Sequence, residues 1–367
     1  MKKTGNIATV GIVVVVWLVL AIACLCKPAQ AFSLSERRRL AQFPELDIQG
    51  VLSGKFMTDF ESYTLDQFPL REGFRRLKAF STYSLYAQKD NNDIYLVDGY
   101  ASKLEYPLKE SSVLAAVEKF RTLYESNMAG KASNVYYSVI PDKNYFLAEK
   151  NGYPSMDYAR LYALMTQNMD FAEEIDLRST LELEDYYQTD THWRQEKLVD
   201  TAQVLAKALG IETELSWDFE EKQLDTPFYG VYYGQAALPL PSERISYLTN
   251  AVLEACTVYN LETDSTGGVY DFAKLDGSDP YEFFLSGASA LLYIENPNAQ
   301  TQRELVVFRD SFASSLIPLL CEGYAKITLV DTRYIAGGLV GEYVDFENAD
   351  VLFLYSSLVL NTSSLLK

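Results

Sequence analysis

The hydrophobic pattern begins with one uninterrupted apolar run near the N-terminus. Apolar residues dominate from Ile7 to Cys26, directly after two lysines. About 20 apolar residues span a bilayer as a helix, and lysines before such a run favour a cytoplasmic N-terminus. Residues 1–31 are therefore predicted to be a membrane anchor or a signal segment. The signal segment is an alternative because Ala29-Gln30-Ala31 resembles a signal-peptidase site. We favour the anchor, because the run is longer than a usual signal-peptide core. Both interpretations place the rest of the chain outside the cytoplasm.

Residues 32–90 form a second segment, in which the pattern favours helices joined by turns. Phe56, Phe60, Tyr63 and Phe68 give a partial stripe at helical spacing before Pro69. The compact Asp66–Arg71 stretch has opposite charges at its two ends. It predicts a capped helix boundary with a local Asp66–Arg71 ion pair.

From residue 91 to residue 367 the pattern is that of strands alternating with helices. Residues 94–97, followed by Asp98-Gly99, predict a β-hairpin. Further strands are predicted at 135–140, 305–308, 327–330 and 351–355, and helices at 110–128, 156–172 and 193–209. Between about 211 and 300, short segments interrupted by Tyr and Gly indicate a β-rich insertion. This alternation is typical of a parallel sheet with helices on its faces.

Composition narrows the choice of partners. A net charge of -18 argues against nucleic acid and anionic membrane surfaces. The 27 tyrosines fit packing in a β-rich domain or, for some of them, a groove that stacks on sugar rings. Beyond the N-terminal run, only Cys256 and Cys321 remain, either as one disulfide or as buried free thiols. With one histidine and no clustered cysteines, no metal site and no cofactor are predicted.

His192 is the only histidine in the chain, so any reaction that needs an imidazole base depends on it. Asp190, two positions earlier, is suited to orient the ring and stabilise the imidazolium. The alternatives are a structural histidine beside a helix start and an aspartate that caps that helix. We favour a catalytic pair, because a separate serine offers the nucleophile that such a pair needs.

That serine is Ser311, where the apolar strand 305–308 ends before a predicted helix. A serine just past a buried strand is a recurrent way to present a hydroxyl, and active sites of parallel sheets gather at that edge. The alternative is a helix cap, a role for which Asp310 competes. A Ser311–His192–Asp190 triad also needs oxyanion donors, of which the Ser311 N–H is the first.

Three further residues are candidate substrate contacts. Arg309 lies beside the nucleophile, and Lys143 follows another strand in Pro141-Asp142-Lys143. Each could instead be a solvated loop charge. Trp193, beside the predicted base, is either a stacking surface for sugar or a packing residue of the following helix.

Several short motifs in a fixed order resemble the DHHW family, which is similar to the SGNH-hydrolase-like proteins of alginate O-acetylation. The motifs are Ser35-Glu36-Arg37-Arg38, Phe60-Glu61-Ser62-Tyr63, Asp66-Gln67-Phe68-Pro69-Leu70-Arg71, Pro141-Asp142-Lys143, Asp190-Thr191-His192-Trp193, Phe284-Leu285-Ser286-Gly287, Arg309-Asp310-Ser311-Phe312 and Val330-Asp331-Thr332-Arg333-Tyr334. Thr191 replaces the first histidine of the family's name motif. Arg309 replaces the glycine that opens the SGNH Gly-Asp-Ser motif, which affects the expected oxyanion loop.

The resemblance implies an SGNH-hydrolase-like three-layer α/β/α domain and acetyl transfer to, or removal from, an envelope or exported polysaccharide. It also implies a membrane-bound O-acyltransferase as a partner that supplies acetyl groups. The first hypothesis is therefore a membrane-anchored serine O-acetyltransferase. The alternatives are an acetylesterase, which shares every catalytic residue, and a non-catalytic polysaccharide-binding subunit of an export complex.

Overall fold

The computed structural model describes residues 2–367. The chain forms two compact units. The first contains the residues up to Asn92 together with Tyr233–Pro239, and the second contains Asp93–Tyr232 and Leu240–Lys367.

The first unit begins with the N-terminal apolar helix, and the rest of it consists mainly of shorter helices. Its elements are α1 Lys2–Cys26, β1 Phe32–Ser33, β2 Arg38–Arg39, α2 Ile48–Ser53, α3 Lys55–Asp66, α4 Arg71–Phe80 and β3 Asp90–Asn91. Within α1, Asn6–Cys24 is long and apolar enough to cross a membrane, and none of it is buried. The helix therefore fits a single-pass anchor or a signal sequence. The predicted aromatic stripe packs around Phe43, whose ring lies 5.8 Å from Phe60 and 5.3 Å from Tyr63.

The predicted Asp66–Arg71 pair exists, but it is the weaker of the contacts that Asp66 makes. Arg71 Nη2 lies 3.4 Å from Asp66 Oδ1, whereas Arg38 donates two hydrogen bonds to the carboxylate at 2.5 and 2.8 Å. The Arg38 hydrogen bonds lower the pKa of Asp66. Arg71 turns instead to Glu36, at 2.5 Å. A local pair was predicted because residues 28 positions apart cannot be matched from sequence alone.

The second unit contains the strands and helices that build the large sheet and its two covering layers. Its strands are β4 Ile94–Val97, β5 Tyr100–Lys103, β6 Asn134–Ile140, β7 Glu173–Glu174, β8 Glu220–Phe228, β9 Glu243–Thr249, β10 Thr257–Asn260, β11 Ser265–Gly267, β12 Leu291–Glu295, β13 Glu304–Arg309, β14 Lys326–Val330 and β15 Asp350–Ser356. The helices are α5 Glu110–Leu123, α6 Lys143–Leu147, α7 Tyr158–Asn168, α8 Val199–Ala208, α10 Ala251–Ala255, α11 Ala313–Leu316, α12 Val340–Tyr343 and α13 Ser357–Leu360. A further helix, α9 Val231–Ala236, begins in the second unit and continues into the Tyr233–Pro239 stretch of the first. The predicted hairpin is confirmed: β4 and β5 pair antiparallel through Asp98 and Gly99, both with positive φ.

The large sheet has eight strands in the order β11-β10-β12-β14-β13-β15-β6-β7. The strands from β14 to β7 pair in parallel, as predicted. The predicted β-rich insertion at about 211–300 contains β8 to β12, of which β10, β11 and β12 extend the large sheet by antiparallel pairing. β8 and β9 pair with each other in a separate two-stranded sheet.

Alternate residues of the central strands face opposite helical layers. In β13, Leu305 and Val307 pack with α8, while Val306 and Phe308 pack with α5 and α7. Buried parallel strands covered on both faces are nearly continuously hydrophobic, which explains the apolar runs of the sequence. The predicted three-layer α/β/α arrangement around a parallel sheet is confirmed.

The helix predicted for 193–209 begins later than expected. Trp193 pairs with Tyr186 in an isolated β-bridge, and a short 3-10 helix precedes α8. The predicted apolar face is correct, since Leu198, Ala202, Leu205 and Leu209 are buried, and Gly210 ends the helix with φ 68°. The late start matters for the site, because Asp190 and His192 lie in a loop and not at a helix start.

The two cysteines of the second unit lie side by side in the core. Cys256 and Cys321 are buried free thiols. A hydrogen bond between them lowers the pKa of Cys256 and raises that of Cys321.

Candidate active site

The three predicted triad residues meet in one hydrogen-bonded chain. Ser311 Oγ lies 2.8 Å from His192 Nε2, and His192 Nδ1 lies 2.6 Å from Asp190 Oδ1. Asp190 is fully buried, His192 is 7% exposed, and Ser311 is partly exposed. The polar chain therefore runs from the protein interior to a hydroxyl that a ligand can reach.

Asp310 holds the turn that presents Ser311. The buried Asp310 carboxylate accepts the N–H of Phe312 at 3.0 Å and the N–H of Ser356 at 2.7 Å. Neither candidate caps α11, which begins after Phe312 without a side-chain cap. Asp310 instead fixes the backbone of the turn, and the Ser311 hydroxyl is left to contact His192. The helix that follows, α11, is a single turn continued by a 3-10 helix, so a long helix dipole at Ser311 is absent.

The Ser311 backbone N–H remains the first candidate oxyanion donor. Within the described residues it makes no hydrogen bond to the protein. A free N–H beside the Ser311 hydroxyl is suited to an oxygen that gains negative charge.

Asp190 and two aromatic rings fix the imidazole of His192. Asp190 Oδ1 accepts both the ring Nδ1–H and the His192 backbone N–H, the latter at 3.0 Å. The Tyr281 ring stacks on the imidazole with 4.0 Å between the ring centroids and 6° between the ring planes, and the centroid of the Phe312 ring lies 5.0 Å from that of the imidazole. With Nδ1–H donated to the carboxylate, Nε2 is the free acceptor that points at Ser311.

The loop that carries Asp190 is tied to the segment around Gly230. Gly230 N–H donates to Thr189 Oγ1 at 3.0 Å, and Val231 N–H donates to Asp190 Oδ2 at 2.8 Å. A Cβ at position 230 would lie 2.2 Å from Thr189 O and 2.3 Å from Asp190 N. Only glycine permits this close approach of the two backbones.

Gly230→Ala is therefore expected to displace Asp190 and lower turnover of an acetyl ester, by about tenfold to a hundredfold, through loss of triad geometry. The measurement is kcat in full-length protein beside Gly267→Ala, where an added Cβ meets nothing within 4 Å. A Gly230→Ala protein with parental kcat would show that this contact does not matter.

Lys143 is buried beneath the same loop and does not face solvent. Its ammonium donates to the carbonyls of Ala101, Tyr187 and Gln188 at 2.5, 2.9 and 3.3 Å, and it lies 4.9 Å from the Tyr232 ring. All three donors are thus used by the protein, so the structure does not place Lys143 as the predicted substrate contact. Its position assigns it to holding the backbone that leads into Asp190.

Burial lowers the pKa of Lys143 to about 7, although Asp190 and Glu243 favour the charged form. The unfolded chain keeps the proton up to the ordinary value of 10.5, so the free energy of unfolding should rise with pH between these two values. Relative to Lys143→Met, which lacks the titration, the parent should gain of the order of 2 kcal/mol between about pH 6 and pH 9. Thermal midpoints of both proteins at the two pH values test this, and a constant difference would contradict it.

Arg309 and Trp193 are also directed inward. Arg309 is fully buried and donates to Ser314 Oγ at 2.8 Å and Gly287 O at 3.3 Å. Trp193 is fully buried and its indole N–H donates to Phe312 O at 2.9 Å. Neither side chain is placed where a substrate could contact it. Trp193 instead ties the loop of His192 to the turn of Ser311.

Two residues that support the Asp190 and His192 loop were not predicted from the sequence. Tyr281 stacks beneath the imidazole, and Glu243 accepts the backbone N–H groups of Gln188 and Thr189 at 2.7 and 2.8 Å. No local pattern marks either residue. Gly230 had a weak signal, since it stands in a Tyr- and Gly-rich segment that was interpreted only as β-rich.

A model of the DHHW protein family matches residues 132–330, more than half of the chain and the part that contains the triad. The chain belongs to the DHHW family. A crystal structure of a DHHW family protein from Eubacterium siraeum is similar at 17% identity and a TM-score of 0.60, over 75% of this chain and 94% of that one.

Two structures of Bacillus cereus PatB1 are similar as well. The first has 16% identity and a TM-score of 0.56, over 73% of this chain and 96% of that one. The second, with a sulfonyl adduct, has 17% identity and a TM-score of 0.57, over 73% and 95%. These similarities establish the shared fold. Among curated proteins, no match to this DHHW protein is found.

Proposed function

We propose that this DHHW protein is a serine O-acetyltransferase that acts outside the cytoplasm on an exported or cell-envelope polysaccharide. The observation that carries the proposal is the pair of hydrogen bonds that link Asp190 to His192 and His192 to Ser311, at 2.6 and 2.8 Å. A hydroxyl becomes an effective nucleophile when a positioned base removes its proton, and this chain provides that base.

In the first half-reaction, Ser311 Oγ attacks the carbonyl carbon of an acetyl donor while its proton passes to His192 Nε2. Asp190 stabilises the resulting imidazolium through the Nδ1–H bond. The oxyanion accepts the Ser311 N–H. His192 then gives its proton to the leaving group as the donor's acyl bond breaks, and acetyl-Ser311 remains.

In the second half-reaction, a sugar hydroxyl attacks acetyl-Ser311 and gives its proton to His192. His192 returns this proton to Ser311 Oγ as the ester bond to the enzyme breaks. Transfer requires that sugar competes with water for the acetyl group. Tyr281 and Phe312 pack on the imidazole and limit its solvation, an arrangement that serves transfer and hydrolysis alike.

The apolar helix α1 supports a location at the outer face of the membrane. With the two lysines at the cytoplasmic end, the second unit would lie on the extracytoplasmic side. An acetyl group from the cytoplasm must cross the bilayer to reach it. We therefore include a membrane-bound O-acyltransferase as the supplier of acetyl groups.

The test is partition of acetyl groups between water and an added oligosaccharide, with full-length protein in detergent and a chromogenic acetyl ester as donor. We expect acetylated oligosaccharide in the parent and none in Ser311→Ala. Acetate release without acetylated sugar, across neutral, amino and acidic oligosaccharides, would identify an esterase. Glycan binding that survives loss of both Ser311 and His192, without any ester turnover, would identify a binding subunit.

A further inference from the structure

A cavity of about 600 Å³ lined by tyrosines lies in the second unit, apart from the triad. We call it the tyrosine cavity, and its lining includes Tyr145, Tyr153, Tyr158, Tyr162, Arg178 and Asp157. Small-molecule sites typically occupy about 300–1,000 Å³. Its size and its aromatic walls therefore fit a ligand of one or a few rings.

The tyrosine cavity lies at the same edge of the sheet as Ser311. Tyr145 belongs to α6, just after β6 ends at Ile140, and Arg178 follows the end of β7. Ser311 follows β13, which is separated from β6 by the single strand β15. Two strand spacings correspond to about 10 Å along this edge. An oligosaccharide of several units is longer than the separation of these strand ends.

The exposed rings are held rigid by other rings behind them. Tyr145 is 37% exposed and packs edge-on against Tyr158 at 5.1 Å. Tyr153 is partly exposed and stacks on the buried Tyr95 at 4.1 Å. Rigid aromatic faces lose little conformational entropy on binding, and a tyrosine face is apolar like the axial C–H surface of a pyranose.

Tyr162 and Arg178 supply polar groups whose hydrogen-bonding capacity is not used up. The Tyr162 hydroxyl is buried and has no hydrogen-bond partner in the described part of the chain. Arg178 lies over the Tyr162 ring at 4.1 Å, fixed by Asp176 through Nε and Nη2 at 2.8 and 2.7 Å. A buried hydroxyl without a partner is rare in native proteins and indicates a group or a water that is bound there.

The charge around the tyrosine cavity selects against acidic sugars. Arg178 is neutralised by Asp176, while Asp157 and Glu149 both line the cavity and are exposed. A uronic acid carboxylate would meet these like charges without a free cation to compensate them. The cavity is therefore suited to sugars without a carboxylate.

We propose that the tyrosine cavity is a binding subsite for a pyranose unit without a carboxylate, within the acceptor glycan. This inference rests on the proposed function for the identity of the glycan as an acceptor. The face of the sugar ring stacks on Tyr145, the more exposed ring, with Tyr153 beside it, and its hydroxyls reach Arg178 and Tyr162. The subsite positions the chain so that another unit lies at Ser311.

The experiment is calorimetric titration of full-length protein in detergent micelles, in a Ser311→Ala background that prevents turnover. The probes are cellohexaose as the neutral glycan and hexagalacturonate as the acidic one. We expect cellohexaose to bind at least about tenfold more tightly than hexagalacturonate, which corresponds to 1.4 kcal/mol. Tyr145→Ala should weaken cellohexaose binding by at least about the same factor.

Two further variants separate loss of the ring from loss of the fold. Tyr145→Phe keeps the ring and should bind cellohexaose within about threefold of the parent, since stacking needs only the face. Tyr343→Ala removes a comparably exposed tyrosine, 46% against 37%, outside the tyrosine cavity, and should leave binding unchanged.

The inference is overturned by any of three results: no probe binds, hexagalacturonate binds more tightly, or Tyr145→Ala binds cellohexaose like the parent. Binding is measured without turnover, so these results do not depend on the chemistry at Ser311. Conversely, the parent protein could bind cellohexaose with the expected dependence on Tyr145 and yet transfer no acetyl group. That result would support the subsite and contradict the proposed function.

Discussion

Ser311→Ala is expected to reduce acetyl transfer and acetyl-ester turnover by at least about a thousandfold, because it removes the only hydroxyl in contact with His192 Nε2 among the described residues. The variant lacks one oxygen atom at a partly exposed turn, whose backbone is held by hydrogen bonds from the Phe312 and Ser356 N–H groups to Asp310. The fold should therefore survive. The measurement is kcat/KM for a chromogenic acetyl ester, with the thermal midpoint recorded beside it.

The matched control is Ser265→Ala, which removes an exposed hydroxyl on β11. It should retain parental kcat/KM. If Ser311→Ala kept more than about a tenth of the parental rate, a serine nucleophile at this position would be untenable.

His192→Gln should lower kcat by about a hundredfold to ten-thousandfold, the usual contribution of a positioned general base. Glutamine approximates the length of histidine and can form hydrogen bonds, but it cannot take a proton from Ser311. No other histidine is present in the 367 residues to replace it. Asp190→Asn should also lower kcat, because an amide cannot stabilise the imidazolium and its N–H groups oppose the donation from His192 Nδ1.

The double variant Ser311→Ala/His192→Gln distinguishes a functional relay from two independent effects. Groups that act as one unit show strongly non-additive losses. We expect the double variant to lose little more than Ser311→Ala alone. Losses that multiply would show that His192 acts on something other than Ser311.

The contact between Ser311, His192 and Asp190 could be predicted from the sequence because each of the three residues carries a local signal. Ser311 ends a short apolar strand, His192 has no competitor, and Asp190 lies two residues from it. The parallel part of the sheet was equally accessible, because strands buried on both faces are apolar throughout. These signals depend on residues that are near one another in the chain.

The contacts that fix the geometry of the site could not be predicted from the sequence. Gly230 contacts Thr189, and Tyr281 supports His192, through packing of segments far apart in sequence. Lys143 and Trp193 were predicted to contact a ligand because one is charged and the other is aromatic. Both are buried, and both hold loops in place instead. Residue type indicates what a side chain can do, and only the fold determines which group it meets.

The most direct test of the acyl-transfer account is peptide-level mass spectrometry of full-length protein after brief exposure to a chromogenic acetyl ester. If Ser311 forms the acyl-enzyme, one acetyl group should be found on the peptide that contains Ser311. The group should disappear from Ser311→Ala and be lost on adding an acceptor oligosaccharide. Rapid ester turnover with the acetyl group on another residue, or with Ser311 never modified, would contradict it.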